Sequence, residues 1–143
     1  MSRVSEILEA KGRALHRIDA DASVLDAVRK MVEANVGSLL VTESGEITGI
    51  VTERDYLRRV AIEGRNESET PVREIMSSPL IVVTPDTSVE ECMAMMTDRR
   101  IRHLPVAEGG KVVAVVSIGD LVKFQSQQQS FEIKYLNDYI NAY

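Results

Sequence analysis

The sequence repeats itself at an offset of 65 residues, which predicts two copies of one structural unit. Residues 16–57 align with residues 81–122 without a gap, and 10 of the 42 aligned pairs are identical. Upstream, Val-Ser-Glu-Ile at 4–7 corresponds to Val-Arg-Glu-Ile at 72–75 at an offset of 68, so the first copy has three extra residues in its leading loop (68 minus 65). A period of this length indicates a duplicated supersecondary unit and not a thin solenoid.

Each copy shows the same order of predicted elements: a short strand, a helix, two strands and a second helix. Ser23 and Ser88 precede runs in which apolar residues follow helical spacing, so each serine can cap a helix. Two β-branched runs around a glycine-bearing turn then predict a hairpin in each copy. The hairpin strands are 38–42 and 47–52 in the first copy, and 104–107 and 112–117 in the second. The pattern predicts a mixed fold of the α+β (α/β) class, built from two pseudo-symmetric β-α-β-β-α repeats.

The repeats divide the chain into three predicted ranges. Residues 1–65 form the first repeat with an N-terminal helix, residues 66–124 the second repeat, and residues 125–143 a C-terminal helical extension. The polar stretch 63–71 links the repeats. A unit of about 60 residues has too small a core to be stable by itself with any margin.

The C-terminal extension holds most of the aromatic residues. Five of the six lie at or after Phe124, and from position 131 they recur every four residues, which predicts one aromatic face on a helix. The residues of this stripe are Phe131, Tyr135, Tyr139 and Tyr143. The stripe either packs on its own domain or docks on a second subunit or a partner.

Composition and charge exclude several classes of protein. The chain has 143 residues, 44% of them apolar, and a net charge of −5, which is typical of one ordinary domain and not of a disordered chain. A pI near 5.1 argues against a nucleic-acid binder. No apolar run approaches the ~18 residues of a membrane helix. Because the N-terminus has no signal-peptide core, we expect a cytoplasmic protein without membrane contact, with an organellar matrix as the alternative.

Metal and catalytic motifs are missing from the sequence. One cysteine, Cys92, and two histidines argue against an internal disulfide, a cysteine-cluster zinc site and a histidine-rich metal site. The patterns GxSxG, HExxH and the Walker loop do not occur. We therefore predict no metal, no catalytic residues and no enzymatic activity. Cys92 lies on the apolar face of a predicted helix and is interpreted as a small buried hydrophobe.

The most informative pattern follows each hairpin. Thr52 is followed three residues later by Asp55, and Ser117 is followed by Asp120, each pair at the start of a helix. Hydroxyl-x-x-acid is a capping box, in which both side chains bind backbone amides at the helix start. An aspartate there could also accept hydrogen bonds from the two hydroxyls of a ribose, beside the helix amides and the neighbouring hydroxyl. The two roles are compatible, and the recurrence alone does not decide between them.

A local cationic segment stands out on this acidic chain. Arg99, Arg100, Arg102 and His103 fall within five residues, which suits a small anion better than a long phosphate backbone. His103 is interpreted either as a structural, hydrogen-bonded histidine or as a phosphate contact. Arg54 is a further phosphate candidate, although an arginine in a first helical turn is more often only solvated.

Taken together, these features resemble a tandem pair of cystathionine-β-synthase-type (CBS) domains, or Bateman module. The resemblance covers about 120 residues, from 4 to 124, and includes both leading motifs, both hairpins and both hydroxyl-x-x-Asp pairs. The run Arg-His-Leu-Pro-Val at 102–106 is typical of a second repeat.

The resemblance implies two repeats packed sheet to sheet around clefts that bind adenosine-containing ligands. Asp55 and Asp120 would then hold the ribose, Thr52 and Ser117 would support sugar or phosphate, and Arg102 and His103 would face phosphate. The residues expected beside the adenine are Ile18, Val36 and Val51 in one cleft, and Val83, Ile101 and Val116 in the other.

The first repeat departs from this pattern. Gly37 and Ser38 stand where the second repeat has Arg102 and His103, so these two ligand-facing positions bring no charge. The clefts should therefore differ in phosphate binding. The arginine and histidine could also serve a ligand whose ribose sits on Asp55, and the sequence assigns them to neither cleft.

The sequence thus predicts a regulatory module that senses an adenine nucleotide and acts in trans on a partner, such as a regulated enzyme. AMP is the first choice of ligand, with ADP, ATP, NAD(H) and S-adenosylmethionine as alternatives. The resemblance also implies a homodimer, and it favours docking of the aromatic stripe on the second subunit. The competing hypothesis is a ligand-free interaction scaffold, in which the aspartates only cap helices and the C-terminal aromatic helix carries the function.

Overall fold

The structure is a computed structural model that describes residues 2–142, except for the side chains at positions 131, 132, 135 and 138–142. Its elements alternate as the repeat predicts, and the α+β class is confirmed. The elements are α1 (Val4–Lys11), β1 (Arg17–Asp19), α2 (Val24–Ala34), β2 (Ser38–Glu43), β3 (Glu46–Thr52), α3 (Glu53–Tyr56), a π-helical turn (Leu57–Ala61), a 3₁₀ turn (Val72–Glu74), α4 (Val89–Arg99), β4 (His103–Glu108), β5 (Lys111–Ser117) and α5 (Ile118–Ala142).

The chain forms two compact units that do not follow the predicted ranges 1–65 and 66–124. The first unit holds residues 14–81, and the second unit combines the N-terminal segment through Arg13 with the chain from Val82 onward. The difference arises because the leading segment of each repeat lies in the unit of the other repeat. The predicted N-terminal helix exists as α1, but it lies with the second repeat and not with the first.

In the first unit, the leading segment of the second repeat binds the loop before α2. The Val72 amide donates to the Ala22 carbonyl over 2.8 Å, and the Arg73 amide donates to the Ala20 carbonyl over 3.0 Å. Val72 and Ile75 are fully buried and belong to the hydrophobic core of this unit. The core of the first repeat is therefore completed by residues that follow it in the sequence.

In the second unit, α1 makes the matching contacts. The Val4 amide donates to the Thr87 carbonyl and the Ser5 amide to the Pro85 carbonyl, both over 2.9 Å. The two acceptors lie 65 positions after those used in the first unit, so the repeats share one docking geometry. Val4 and Ile7 are buried here, at 0% and 3% exposure, as their counterparts are in the other unit.

The two sheets differ by one strand. In the first unit β1 pairs parallel with β2, and β2 pairs antiparallel with β3. In the second unit β4 and β5 form the predicted hairpin, and the expected first strand is reduced to one parallel bridge between Val83 and Val106.

Two prolines explain the shorter ladder. The amides of Ala20 and Leu40 donate to the neighbouring strand in the first unit. Pro85 and Pro105 occupy the equivalent positions in the second unit, 65 residues later. Proline has no amide hydrogen, so both of these ladder bonds are lost there.

The predicted helix caps are confirmed. Ser23 Oγ accepts from the Asp26 amide over 3.1 Å, and Ser88 Oγ accepts from the Glu91 amide over 3.0 Å. At its C-terminal end, α5 extends to Ala142. The aromatic stripe predicted on this helix falls on side chains outside the described residues, so its docking stays a prediction. None of the described helices is both long and apolar enough to cross a bilayer.

Gly49 in β3 lies against the segment that follows the 3₁₀ turn. A Cβ atom at this position would lie 2.8 Å from Met76 Sδ and 2.9 Å from the Ser77 carbonyl oxygen. The second contact is with backbone, which cannot move aside as a flexible side chain can. Ala114, the equivalent residue in β5, fits with 1% exposure.

We expect Gly49→Ala to lower the free energy of unfolding by about 1–3 kcal/mol because the new methyl group overpacks this contact. The matched control is Gly119→Ala in α5, where a Cβ would meet only Ser117 Oγ at 3.6 Å. Alanine favours a helix over glycine, so the control should be neutral or stabilising by up to ~1 kcal/mol. Urea unfolding of both variants measures the difference, and equal stability of the two would contradict the close approach.

Two candidate ligand-binding half-sites

The first candidate half-site lies where β3 ends and α3 begins. Thr52 Oγ1 accepts a hydrogen bond from the Asp55 amide over 3.2 Å. In return, Asp55 Oδ2 accepts from the Thr52 amide at 2.9 Å and from Thr52 Oγ1 at 3.1 Å. This reciprocal pair is a capping box, and it holds the half-buried carboxylate at the start of the helix.

The second candidate half-site repeats this arrangement between β5 and α5. Ser117 Oγ accepts from the Asp120 amide over 3.1 Å, and Asp120 Oδ2 accepts from the Ser117 amide over 2.8 Å. The capping role is therefore present in both repeats. Capping also fixes the direction of each carboxylate, which a ribose-binding role would need. Capping and ribose binding are thus compatible, and ligand binding by these residues stays a prediction.

The chain segment before each hairpin lies next to the same helix start. The Gly37 carbonyl accepts from the amide of Glu53 over 3.1 Å, and Ser38 pairs with Thr52 across the sheet. In the second unit the Arg102 carbonyl accepts from the amide of Ile118 over 2.8 Å, and His103 pairs with Ser117. The two units therefore share one geometry. In each of them the predicted positions lie together at one end of the hairpin.

Lys11 distinguishes the second half-site from the first. Its Nζ atom lies 2.6 Å from Asp120 Oδ2 and 2.9 Å from the Val115 carbonyl oxygen. In the first unit the equivalent carbonyl, that of Ile50, accepts instead from the backbone amide of Ser77 over 2.9 Å. A lysine side chain in one unit thus takes the place of a backbone contact in the other.

Sequence reasoning missed Lys11. It lies 109 positions from Asp120 and falls in the range assigned to the first repeat. The similarity of the two leading segments was visible in the sequence, but only the folded chain shows that these segments are exchanged between the repeats.

The two carboxyl groups differ in their pKa. Burial raises the pKa of Asp55 above its usual value, and the two hydrogen bonds from Thr52 and the charges of Arg58 and Arg59 offset this only in part. Burial acts on Asp120 in the same direction, but the hydrogen bonds from Lys11 and Ser117 outweigh it. The pKa of Asp120 is therefore below its usual value.

His103 lies among charged groups of the second half-site. Burial lowers its pKa, Asp120 opposes this, and the charges of Lys11 and Arg102 lower it further. Its imidazole is therefore neutral at neutral pH. Arg102 is exposed, and its charge acts on His103. Lys11 contacts Asp120 directly.

The apolar positions predicted to contact adenine fall into two groups. The side chains of Val51, Val83 and Val116 are buried in the core, with 1%, 4% and 0% exposure, and their contact with adenine stays a prediction. The half-buried residues Ile18, Val36 and Ile101 remain candidates for such a contact. Arg54 is exposed in the first turn of α3.

The described residues contain no group of three or more His, Cys, Asp or Glu side chains that could hold a metal ion. Cys92 is fully buried, as predicted, and burial raises the pKa of its thiol to about 11. The thiol is therefore protonated and unreactive at neutral pH.

Removing the Lys11 charge should reverse the pKa shift of Asp120. Without that cation, burial is the largest remaining influence, so Lys11→Met should raise the carboxyl pKa while that of Asp55 stays unchanged. A carboxyl pKa that is lower in the folded state than in the unfolded state stabilises the fold at pH values above the unfolded-state pKa. The wild type should lose this stabilisation as the pH falls through the folded-state pKa of Asp120. The variant should lack this stabilisation at any pH. Carboxyl ¹³C titration by NMR measures both groups in one sample, and an unmoved Asp120 midpoint would contradict the ion pair.

Comparison with known proteins identifies one family. The model of the CBS domain matches residues 4–62 and 72–127. The CBS domain-containing protein CBSX3, mitochondrial, of Arabidopsis thaliana is 40% identical over 148 residues, which cover 97% of this chain and 72% of that protein. The CBS domain-containing protein YhcV of Bacillus subtilis is 30% identical, with coverage of 89% and 90%.

A solved structure agrees with these sequence matches. A CBS-domain protein from Burkholderia ambifaria MC40-6, named for signal transduction, superimposes with a TM-score of 0.83 at 46% identity. The match covers 85% of this chain and 92% of that one. The chain therefore belongs to the CBS-domain family, with a tandem pair of CBS domains.

Proposed function

We propose that this protein is a regulatory module that binds an adenine nucleotide, with AMP as the first choice, and acts in trans on a partner protein. The observation that carries the proposal is the aspartate held at the start of a helix in both repeats of a CBS-domain pair. ADP, ATP, NAD(H) and S-adenosylmethionine share the adenosyl group and are the alternative ligands.

The carboxylates suit the recognition of a ribose. A ribose presents two neighbouring hydroxyl donors, and an ionised carboxylate is an acceptor with two oxygens. The backbone amide of Thr52 or Ser117 already holds one carboxylate oxygen. Ligand binding therefore loses little conformational entropy in ordering the aspartate side chain. Hydrogen bonds to a charged acceptor are about twice as strong as neutral ones, so the charge of the carboxylate contributes to this contact.

Phosphate recognition would come from the cations around each carboxylate. Lys11 contacts Asp120, and the charges of Asp120, Lys11 and Arg102 all act on His103. A phosphate would favour the protonated form of the histidine. Around Asp55 the charges come from Arg58 and Arg59, which follow the aspartate on the π-helical turn. The two half-sites thus offer different cations to one class of ligand.

The regulatory output requires a partner. A ligand that binds one arrangement of the module more tightly shifts the population toward that arrangement, and a partner enzyme or a second copy of this chain can respond to the shift. The Burkholderia protein's name supports a signalling role, and the mitochondrial location in the Arabidopsis name supports an organellar matrix beside the cytoplasm.

The second candidate is the ligand-free scaffold, and the capping boxes favour it. Both aspartates already have a structural role at their helix starts. In this case the aspartates would only cap their helices, and no adenosyl ligand would bind.

Thermal unfolding with a ligand panel discriminates the two candidates. AMP at ~100 times its dissociation constant should add ~2.7 kcal/mol to the free energy of unfolding, a shift of several degrees for a chain of this size. Asp55→Asn and Asp120→Asn keep an oxygen for the cap but lose the charge, and each should reduce the shift by weakening ribose binding by ~1.5–3 kcal/mol.

The matched control is Asp98→Asn on the exposed face of α4, which should keep the full shift. The panel contains AMP, ADP, ATP, NAD, NADH and S-adenosylmethionine. If none of them shifts the melting temperature of the wild type, the sensor proposal is wrong and the scaffold is favoured.

A further inference from the structure

The ion pair between Lys11 and Asp120 plays no part in the ribose contact proposed for this carboxylate. Lys11 binds the same oxygen, Oδ2, that the capping amide of Ser117 binds. The carboxylate of this half-site is therefore already engaged by a cation in the ligand-free chain.

The position of Lys11 allows it to leave. Its side chain is 37% exposed and lies in the last turn of α1, so its ammonium group can turn toward water or a ligand. The equivalent contact in the first unit, from Ser77 to Ile50, consists of backbone atoms on both sides. That contact cannot open without moving the chain, whereas the lysine needs only a change of rotamer.

A phosphate provides a reason for the lysine to move. Lys11 lies on the Asp120 carboxylate, and the charges of Asp120, Lys11 and Arg102 all act on His103. A ligand phosphate brings more negative charge than the carboxylate and three acceptor oxygens. An uncharged nucleoside offers the ammonium nothing in exchange for Asp120. The nucleoside must compete with the Lys11 ion pair for the carboxylate, and it has no negative charge for the nearby cations to bind.

We propose that Lys11 makes the Asp120 half-site selective for phosphorylated adenosyl ligands over uncharged adenosine, by exchanging the Asp120 carboxylate for the ligand phosphate. This inference rests on the proposed function and assigns a specificity-determining residue to one of its two half-sites. With phosphate bound to Lys11, the carboxylate is released to accept the ribose hydroxyls. Without phosphate, the ion pair stays closed.

The test measures AMP and adenosine binding by isothermal titration calorimetry on chains that all carry Asp55→Asn, so that the Asp120 half-site gives the signal. The parent should bind AMP much more tightly than adenosine. Lys11→Met should weaken AMP binding about tenfold or more, because a charge-assisted hydrogen bond to phosphate is lost. The same change should tighten adenosine binding by about twofold to fivefold, because an exposed ion pair no longer competes.

Three further variants make the result specific. Lys11→Gln is a second neutral replacement, so the outcome does not depend on one variant folding well, and Lys11→Arg should restore the AMP preference that Lys11→Met loses. Arg13→Met is the matched control. It removes a cation two residues away that pairs with Glu108 at 2.6 Å and should leave both affinities as in the parent.

The outcomes separate this inference from the function beneath it. An unchanged AMP-to-adenosine ratio in both neutral variants, or an equal loss of preference in Arg13→Met, overturns the role of Lys11 and leaves the nucleotide-binding function standing. The same holds if the wild type binds AMP but the Asp55→Asn parent does not, since the Asp120 half-site then binds nothing. No binding by the wild type overturns both.

Discussion

The backbone hydrogen bonds that dock each leading segment on the other repeat are the constraint on which the structure depends. They insert Val72 and Ile75 into the core of the first unit, and Val4 and Ile7 into the second. A repeat of this size cannot bury enough apolar surface by itself, so the exchanged segment supplies what the hairpin and its two helices lack. Gly49 is part of the same constraint, because it leaves room for Met76 and Ser77, which follow the docked segment of the first unit.

The exchange also makes the two half-sites unequal. The residues behind each docked segment differ: Met76 and Ser77 follow one, and Lys11 ends the other. In the first unit this gives a backbone bridge to Ile50 and a carboxylate whose pKa is raised. In the second it gives an ammonium group and a carboxylate whose pKa is lowered. A duplicated sequence thus produces two carboxylates whose pKa values shift in opposite directions.

Capping and the proposed ribose contact would use the same carboxylates in both candidate half-sites. The hydroxyl-x-x-Asp pair stabilises the helix start and, in doing so, fixes the carboxylate at the end of the strand. Each carboxylate is therefore held in place by the chain itself, without a ligand. This arrangement also explains why a scaffold and a sensor would share one sequence pattern, and why only binding measurements distinguish them.

The sequence by itself determined the local structure: the repeat, the serine caps, both hairpins and both capping boxes. These follow from hydrogen bonds and side-chain periodicity within a few residues, which a linear pattern records. The sequence also contains Pro85 and Pro105, whose missing amides shorten the second sheet. Only the tertiary structure decided that α1 joins the second repeat, that Lys11 meets Asp120 and that Val51 and Val116 are buried in the core. Those facts depend on contacts across large sequence separations, where the path of the chain and not its local pattern sets which side chains meet.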